Sequence, residues 1–290
     1  MAASFARFWN RIPILVRAVI LGLLVTGTGQ LPWTILVALN VQKAPAIPWS
    51  VPLMAAYLVV WWLYVKGWGP PRSTREARRR NLRGEVPPRA IWLPSLLTAG
   101  VAGIALRMLA DAARQLSPRP GQDLIPMETL AKYPFITVLF LLLGTAVVSG
   151  TVEEAGFRGY MQSTLERRFS RRAAILWVGL IFSIAHYRTE APDPIPWLIF
   201  IPIYFAASIV FGLLASLTGS ILPGLLCHVA FNVYGLLKYW LVGIPRSVWE
   251  VGFGTSFWIH LGLGVLFGAT AAHFYRRLAE SVSARQPVPA

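Results

Sequence analysis

The sequence predicts an all-α, polytopic membrane protein with about eight transmembrane helices, and three observations carry that reading. Of 290 residues, 56% are hydrophobic and only 13% charged, against about 25% charged in an average soluble domain. The apolar residues fall into blocks near the length of about 20 residues that crosses a bilayer as a helix. The 27 basic residues, set against 12 acidic ones, mostly sit between those blocks. Together these exclude a water-soluble domain. The net charge of +15 raises nucleic acid as a partner, but the charge is laid out as membrane flanks and no nucleic-acid motif accompanies it. The single cysteine, Cys227, excludes internal disulfides and a cysteine-based metal cage. Inside an apolar run, it reads as a small buried hydrophobe.

The first block, 14–40, contains Gly27, Gly29 and Pro32, which break its pattern. Arg7 and Arg11 before it imitate a signal peptide. It outruns the roughly 7–15 apolar residues of such a peptide and shows no small-residue cleavage site, so it reads as an uncleaved span. The following blocks cover 51–66, 90–110, 133–153, a short 173–187, 195–217, 220–242 and 254–274. With eight spans both termini share a side. The second connection holds Lys66, Arg72, Arg75, Arg78, Arg79, Arg80, Arg83 and Arg89; the fourth holds Arg167, Arg168, Arg171 and Arg172; the tail adds Arg276, Arg277 and Arg285. The opposite set is poorer and mixed in sign: Lys43; Arg114, Arg119, Asp123 and Lys132; Arg188 with Glu190; Arg246 with Glu250. This asymmetry puts the termini and the Arg-rich loops in the cytoplasm of a multi-pass protein. Arginine greatly outnumbers lysine, as in GC-rich bacterial genomes, which points to a bacterial plasma membrane. No internal repeat and no separate soluble domain is visible.

Ionisable groups inside spans are expensive and usually functional. Glu153 and Glu154 follow the apolar run Phe135 to Val148. Glu154 and Arg158 stand at i, i+4 on one helical face, a pairing that keeps Glu154 ionised and gives it a structural role. Glu153 points about 100° away and lacks that partner. An unpaired carboxylate in apolar surroundings is more basic than usual, which suits a general base; a cap or interfacial pair is the plainer alternative. Phe182 with His186, and His228 with Asn232, repeat the i, i+4 spacing, so each pair shares a face. His260 and His273, in the last span, read as core and interfacial residues.

Helix geometry links these motifs. The basic turn Arg167 to Arg172 is centred midway between Glu153 and His186. If the chain turns back there, the two residues lie at one height on antiparallel helices, roughly 20 Å from the basic flank. In the next hairpin, turning near Thr218, Gly219 and Ser220, His228 lies about 13 Å below the turn. The depths agree if a polar helix of residues 158–170 projects into the cytoplasm. Glu153, His186, His228 and Asn232 then converge in the cytoplasmic half of the membrane.

In that order, Glu153-Glu154-x-x-x-Arg158, Phe182-x-x-x-His186 and His228-x-x-x-Asn232 resemble the three motifs of the CPBP intramembrane proteases, the type II CAAX prenyl endopeptidases and their bacterial Abi relatives. The resemblance covers about residues 130–245 and implies an intramembrane active-site cavity. It divides the chain into N-terminal spans with the Arg-rich loop (1–125), a protease-like core (126–245), and a last span with basic tail (246–290). It implies that Glu153, helped by His186, activates a water, that His228 and Asn232 stabilise the oxyanion, and that Glu154, Arg158 and Phe182 support them. Peptide hydrolysis needs these parts. The implied substrate is a membrane-associated peptide or protein: a prenylated C-terminus, a bacteriocin leader or a membrane-bound regulator.

The family is described as metal-dependent, so zinc stays open. There is no HExxH, yet Glu153, His186 and His228 on separate helices are of a type that coordinates zinc. An Asn partner favours hydrogen bonding, and the expectation is catalysis without a cofactor. Two other classes compete. A proton-coupled transporter also uses intramembrane Glu and His, but the paired inverted repeats with broken helices of many carriers are not visible. A non-catalytic immunity or scaffold protein is the third reading, and the intact motifs speak against it.

Overall fold

The computed structural model describes residues 9, 11–118, 127–187 and 194–284; Arg7, Arg119, Asp123, Arg188, Glu190 and Arg285 lie outside them. Of the described residues 82% are helical, and none lies in a strand. Helices stand at all eight apolar blocks: α1 (Ile14–Lys43), α2 (Ser50–Val65), α4 (Arg89–Leu116), α5 (Phe135–Glu153), α6 (Arg171–Ala185), α7 (Ile195–Thr218), α8 (Leu222–Leu241) and α9 (Thr255–Ser283). A short helix, α3 (Arg75–Leu82), lies between α2 and α4. Five apolar stretches, Ile14–Lys43, Arg89–Leu116, Phe135–Leu165, Ile195–Thr218 and Thr255–Ser283, are long and apolar enough to cross a membrane. The chain is a multi-pass membrane protein.

Local chemistry explains where the helices depart from expectation. Pro32 does not break α1. Lacking an N–H, Pro32 leaves the Thr28 carbonyl one turn earlier without its helical donor, and the Tyr57 hydroxyl of α2 donates to that carbonyl at 2.7 Å. Gly29 is a packing position: a Cβ there would stand 2.3 Å from Val152 Cγ1. The α4 helix continues to Leu116, so Arg114 belongs to the helix and not to the connection. It is buried, with its guanidinium 4.4 Å from the Phe200 ring centre. The Arg-rich connection folds in part as α3, whose Arg78 is buried and donates to the carbonyls of Tyr64, Trp68 and Gly69 at 2.7–2.9 Å.

The largest departure follows Glu153. The backbone runs on as a π-helix, Glu154–Met161, before a last α-turn, Gln162–Leu165. Every residue from Glu154 to Leu165 is buried, whereas 167–170 are exposed, so the helix expected over 158–170 ends at Leu165 and only the turn after it faces outward. The helix is packed among its neighbours because glycines allow close approach. A Cβ on Gly156 would meet Thr26 Oγ1 at 2.0 Å, and one on Gly22 would meet Met161 Cε at 2.7 Å.

The Arg-rich segments gather at one end of the bundle. Arg83 pairs with Glu166, Arg167 donates to Asn81, and the Ile221 N–H at the start of α8 donates to the Arg83 carbonyl at 3.0 Å. The C-terminal part of α9 packs beside the start of α4, through Leu278 and Ile91.

Candidate active site

Two hairpins deliver the polar side chains. After the turn at Arg167–Ser170, α6 runs 15 residues, roughly 22 Å, short of a hydrocarbon core about 30 Å thick. It therefore ends within the bundle, with His186 at its C-cap. The last carbonyls of α6 find donors there, as buried backbone in lipid requires: His186 Nδ1 donates to Phe182 O at 2.7 Å, and Trp197 Nε1 donates to Ser183 O at 3.2 Å. The second hairpin brings α8 against α5 at Gly150. A Cβ on Gly150 would lie 2.7 Å from Val229 Cγ2 and 3.2 Å from Val229 N. That close crossing places His228 beside the acidic pair.

The structure brings Glu153, His186 and His228 together. Glu153 Oε2 lies 4.0 Å from His186 Nε2 and 3.8 Å from His228 Nε2. It is buried and accepts no hydrogen bond among the described residues. Because His186 Nδ1 gives its proton to a carbonyl, the neutral ring turns a lone pair on Nε2 towards Glu153. His228 is arranged similarly: Nδ1 donates to Glu154 Oε1 at 2.9 Å. Asn232 sits on the same face of α8, one turn from His228, and its Nδ2 reaches Ser149 Oγ at 3.4 Å. Ser149 is itself one turn before Glu153 on α5.

Glu154 does more than its spacing implies. Its Oε1 lies 3.1 Å from Arg158 Nη1, both residues fully buried, and the same oxygen accepts from His228. Besides the Arg158 pairing that the spacing implies, the α5–α8 crossing puts a histidine on the carboxylate. Arg158 is held between aromatic faces, 4.3 Å from the Phe182 ring centre and 5.3 Å from that of Phe211. Phe182 in turn contacts His186, with ring centres 4.3 Å apart.

Spacing within one helix does not reveal partners on another. Tyr204 of α7 stacks on His186 at 4.2 Å and Phe211 stacks on His228 at 4.9 Å. Lying among aromatic residues of an apolar block, neither carries a sequence signal of its own. A second polar cluster stands at the end of the bundle opposite the Arg-rich loops. Arg107 Nη2 and Tyr239 OH contact Asp111 Oδ1 at 2.6 and 2.8 Å, and Lys238 Nζ reaches Oδ2 at 2.7 Å. Arg107 and Asp111 share the i, i+4 spacing of Glu154 and Arg158, a signal present in the sequence. His260 Nε2 borders this cluster at 3.8 Å from Asp111, whereas His273 is exposed.

For zinc, the donor types of Glu153, His186 and His228 are suitable, but their spacing is wide. Ligands about 2.0–2.1 Å from a tetrahedral ion stand roughly 3.3 Å apart, closer than the 3.8 and 4.0 Å measured here. Among the described residues no three His, Cys, Asp or Glu side chains are placed to hold a metal ion.

The comparisons with known proteins fall on this same site. Residues 135–234 match the family model described as Type II CAAX prenyl endopeptidase Rce1-like, and the stretch contains Glu153, Glu154, Arg158, Phe182, His186, His228 and Asn232. No curated protein and no solved structure matches the chain. The match covers 100 of the 290 residues, and over that stretch the chain is similar to the type II CAAX prenyl endopeptidases of the CPBP type.

Proposed function

We propose that the protein hydrolyses a peptide bond of a membrane-associated peptide or protein with a glutamate-activated water and no metal. One observation carries this reading. The carboxylate oxygen of Glu153 lies 3.8–4.0 Å from the Nε2 atoms of two histidines, a spacing that leaves room for a small bridging group. A water fits that description, since its two protons can be accepted by Glu153 and His186. As the water attacks the scissile carbonyl, Glu153 takes one proton and later returns it to the departing amine.

The oxyanion that forms needs donors. Asn232 offers its carboxamide N–H. Beside it stands His228, whose ring Glu154 orients through Nδ1 and which donates to the oxyanion from Nε2 when that atom carries a proton. His186, whose Nδ1–H goes to a neutral carbonyl, is left to assist the base. Glu154 is a positioning residue, acting through His228. The substrate's own chemistry is taken from the family: a CAAX-like C-terminus, or a bacteriocin leader or regulator in a bacterial membrane.

The test is purification followed by dialysis against a strong chelator, with cleavage of a membrane peptide as readout. Activity is expected to persist, and Asn232→Ala to lower turnover about 10²–10³-fold, as for loss of one oxyanion donor. Stoichiometric zinc lost together with activity, and restored with it, overturns the metal-free mechanism while leaving the endopeptidase reading intact.

A further inference from the structure

A cavity of about 790 Å³, lined by neither His186 nor His228, opens between α1, α2, α3 and the end of the α5 stretch. Its two ends differ in chemistry. At the Arg-rich end it is lined by Arg17, Arg78, Arg167 and Thr164; towards the middle of the bundle its walls are Leu21, Leu24 and Val60. Leu24 and Val60 are 58% and 66% exposed, so the apolar end is open to the surrounding lipid. No carboxylate lines the cavity among the described residues.

Two buried polar groups at the charged end have no partner among the described residues. Thr164, 4% exposed, has an unpaired hydroxyl, and Arg78, 6% exposed, spends its terminal nitrogens on carbonyls but leaves its Nε–H unpaired. Buried donors without acceptors are costly and uncommon. Partial burial, and then the like charges of Arg80, Arg83 and Arg17, holds the Arg167 guanidinium below its ordinary value. An anion at this end relieves both conditions.

We propose that this cavity binds an anionic phospholipid, with its phosphate among Arg17, Arg78, Arg167 and Thr164 and an acyl chain along Leu21, Leu24 and Val60. The continuity of a cationic end with a lipid-open apolar slot selects a lipid over a soluble anion. Basic pockets between membrane helices hold anionic headgroups by this combination. Tyr64, in the wall beside Arg78, is of the kind that settles at the headgroup level.

The full chain in detergent is mixed with phosphatidylglycerol, phosphatidylcholine or inorganic phosphate and read by native mass spectrometry and thermal unfolding. Phosphatidylglycerol is expected to stay bound and to raise Tm, as a ligand of the folded state does; the other two are not. Thr164→Val and Arg167→Gln are each expected to weaken phosphatidylglycerol binding about tenfold or more. Arg167 is exposed, so its variant keeps a folded reference if burial makes the Thr164 variant unstable. Equal retention of phosphatidylcholine overturns the proposal, as does undiminished phosphatidylglycerol binding in a folded Arg167 variant. Stabilisation by inorganic phosphate equal to that by phosphatidylglycerol identifies a soluble-anion site and overturns the lipid assignment.

Discussion

Glu153 and Glu154 are adjacent carboxylates with different surroundings. Glu154 is fully buried and shared between Arg158 at 3.1 Å and His228 at 2.9 Å; Glu153 keeps a free oxygen facing two imidazoles. Glu153→Gln is therefore expected to abolish cleavage while leaving Tm near wild type, because it removes a base and breaks no ion pair. Glu154→Gln is expected to act on both counts. It strands Arg158, and loss of one partner of a buried pair costs about 3–5 kcal/mol; it also weakens the hold on His228, so residual folded enzyme turns over more slowly. Unfolding curves measured beside turnover separate the two. Full activity of Glu153→Gln, or an unchanged Tm with full activity for Glu154→Gln, contradicts these roles. The motif residues are legible in the sequence because each pair recurs at i, i+4 within one helix. The second partner of Glu154 is not, because it depends on how closely α8 crosses α5. Asp111 and Arg107 carry the same spacing, but Asp111 lies just beyond residue 110, where hydropathy alone ends that span.

At the scale of elements, the positions of helices follow from hydropathy, while their irregularities follow from packing. Gly29 and Pro32 look like breaks in α1 and are not: one admits Val152, and the other's vacant carbonyl partner is satisfied by Tyr57. The π-helix after Glu153 has no signature in composition; it arises where α1 presses on Gly156. Such segments are rare and occur often at functional sites. The α5–α8 crossing has the clearest consequence. Gly150→Ala places a methyl group against the Val229 backbone, which has no rotamer by which to retreat, so α8 and His228 must shift away from Glu153. Misplacement of about 1 Å can cost on the order of 10²-fold in rate. Gly100→Ala is the control, since a Cβ there meets nothing within 4 Å, and it is expected to gain the small helical advantage of alanine, about 0.5–1 kcal/mol. Turnover and Tm of the two variants test the claim, and an active Gly150→Ala enzyme refutes it.

For the whole molecule, the distribution of charge along the bundle makes a prediction about its orientation. One end carries the α3 region and the Arg167–Arg172 turn, tied together by the Arg83–Glu166 pair and the Arg167–Asn81 hydrogen bond, and the end of α9, packed beside the start of α4. The other end carries a buried cluster in which Arg107 and Lys238 meet Asp111, and connections of mixed sign. Between them, Leu31, Val59, Val265 and Leu266 are each at least 60% exposed, a cost in water and the normal condition of a helix in lipid. Basic residues near span ends are retained on the cytoplasmic side, so the Arg-rich end, and with it both termini, is expected there. The native chain suits a labelling test because its single cysteine, Cys227, is buried with its thiol on the Ala99 carbonyl. Arg72→Cys places a thiol at the Arg-rich end and Trp249→Cys one at the opposite end, both at exposed positions. In intact cells a membrane-impermeant maleimide is expected to label the Trp249 variant and to reach the Arg72 variant only after permeabilisation. Labelling in the reverse order inverts the topology and moves the scissile bond to the other face of the membrane. Such a result also excludes cytoplasmic CAAX-like C-termini as substrates.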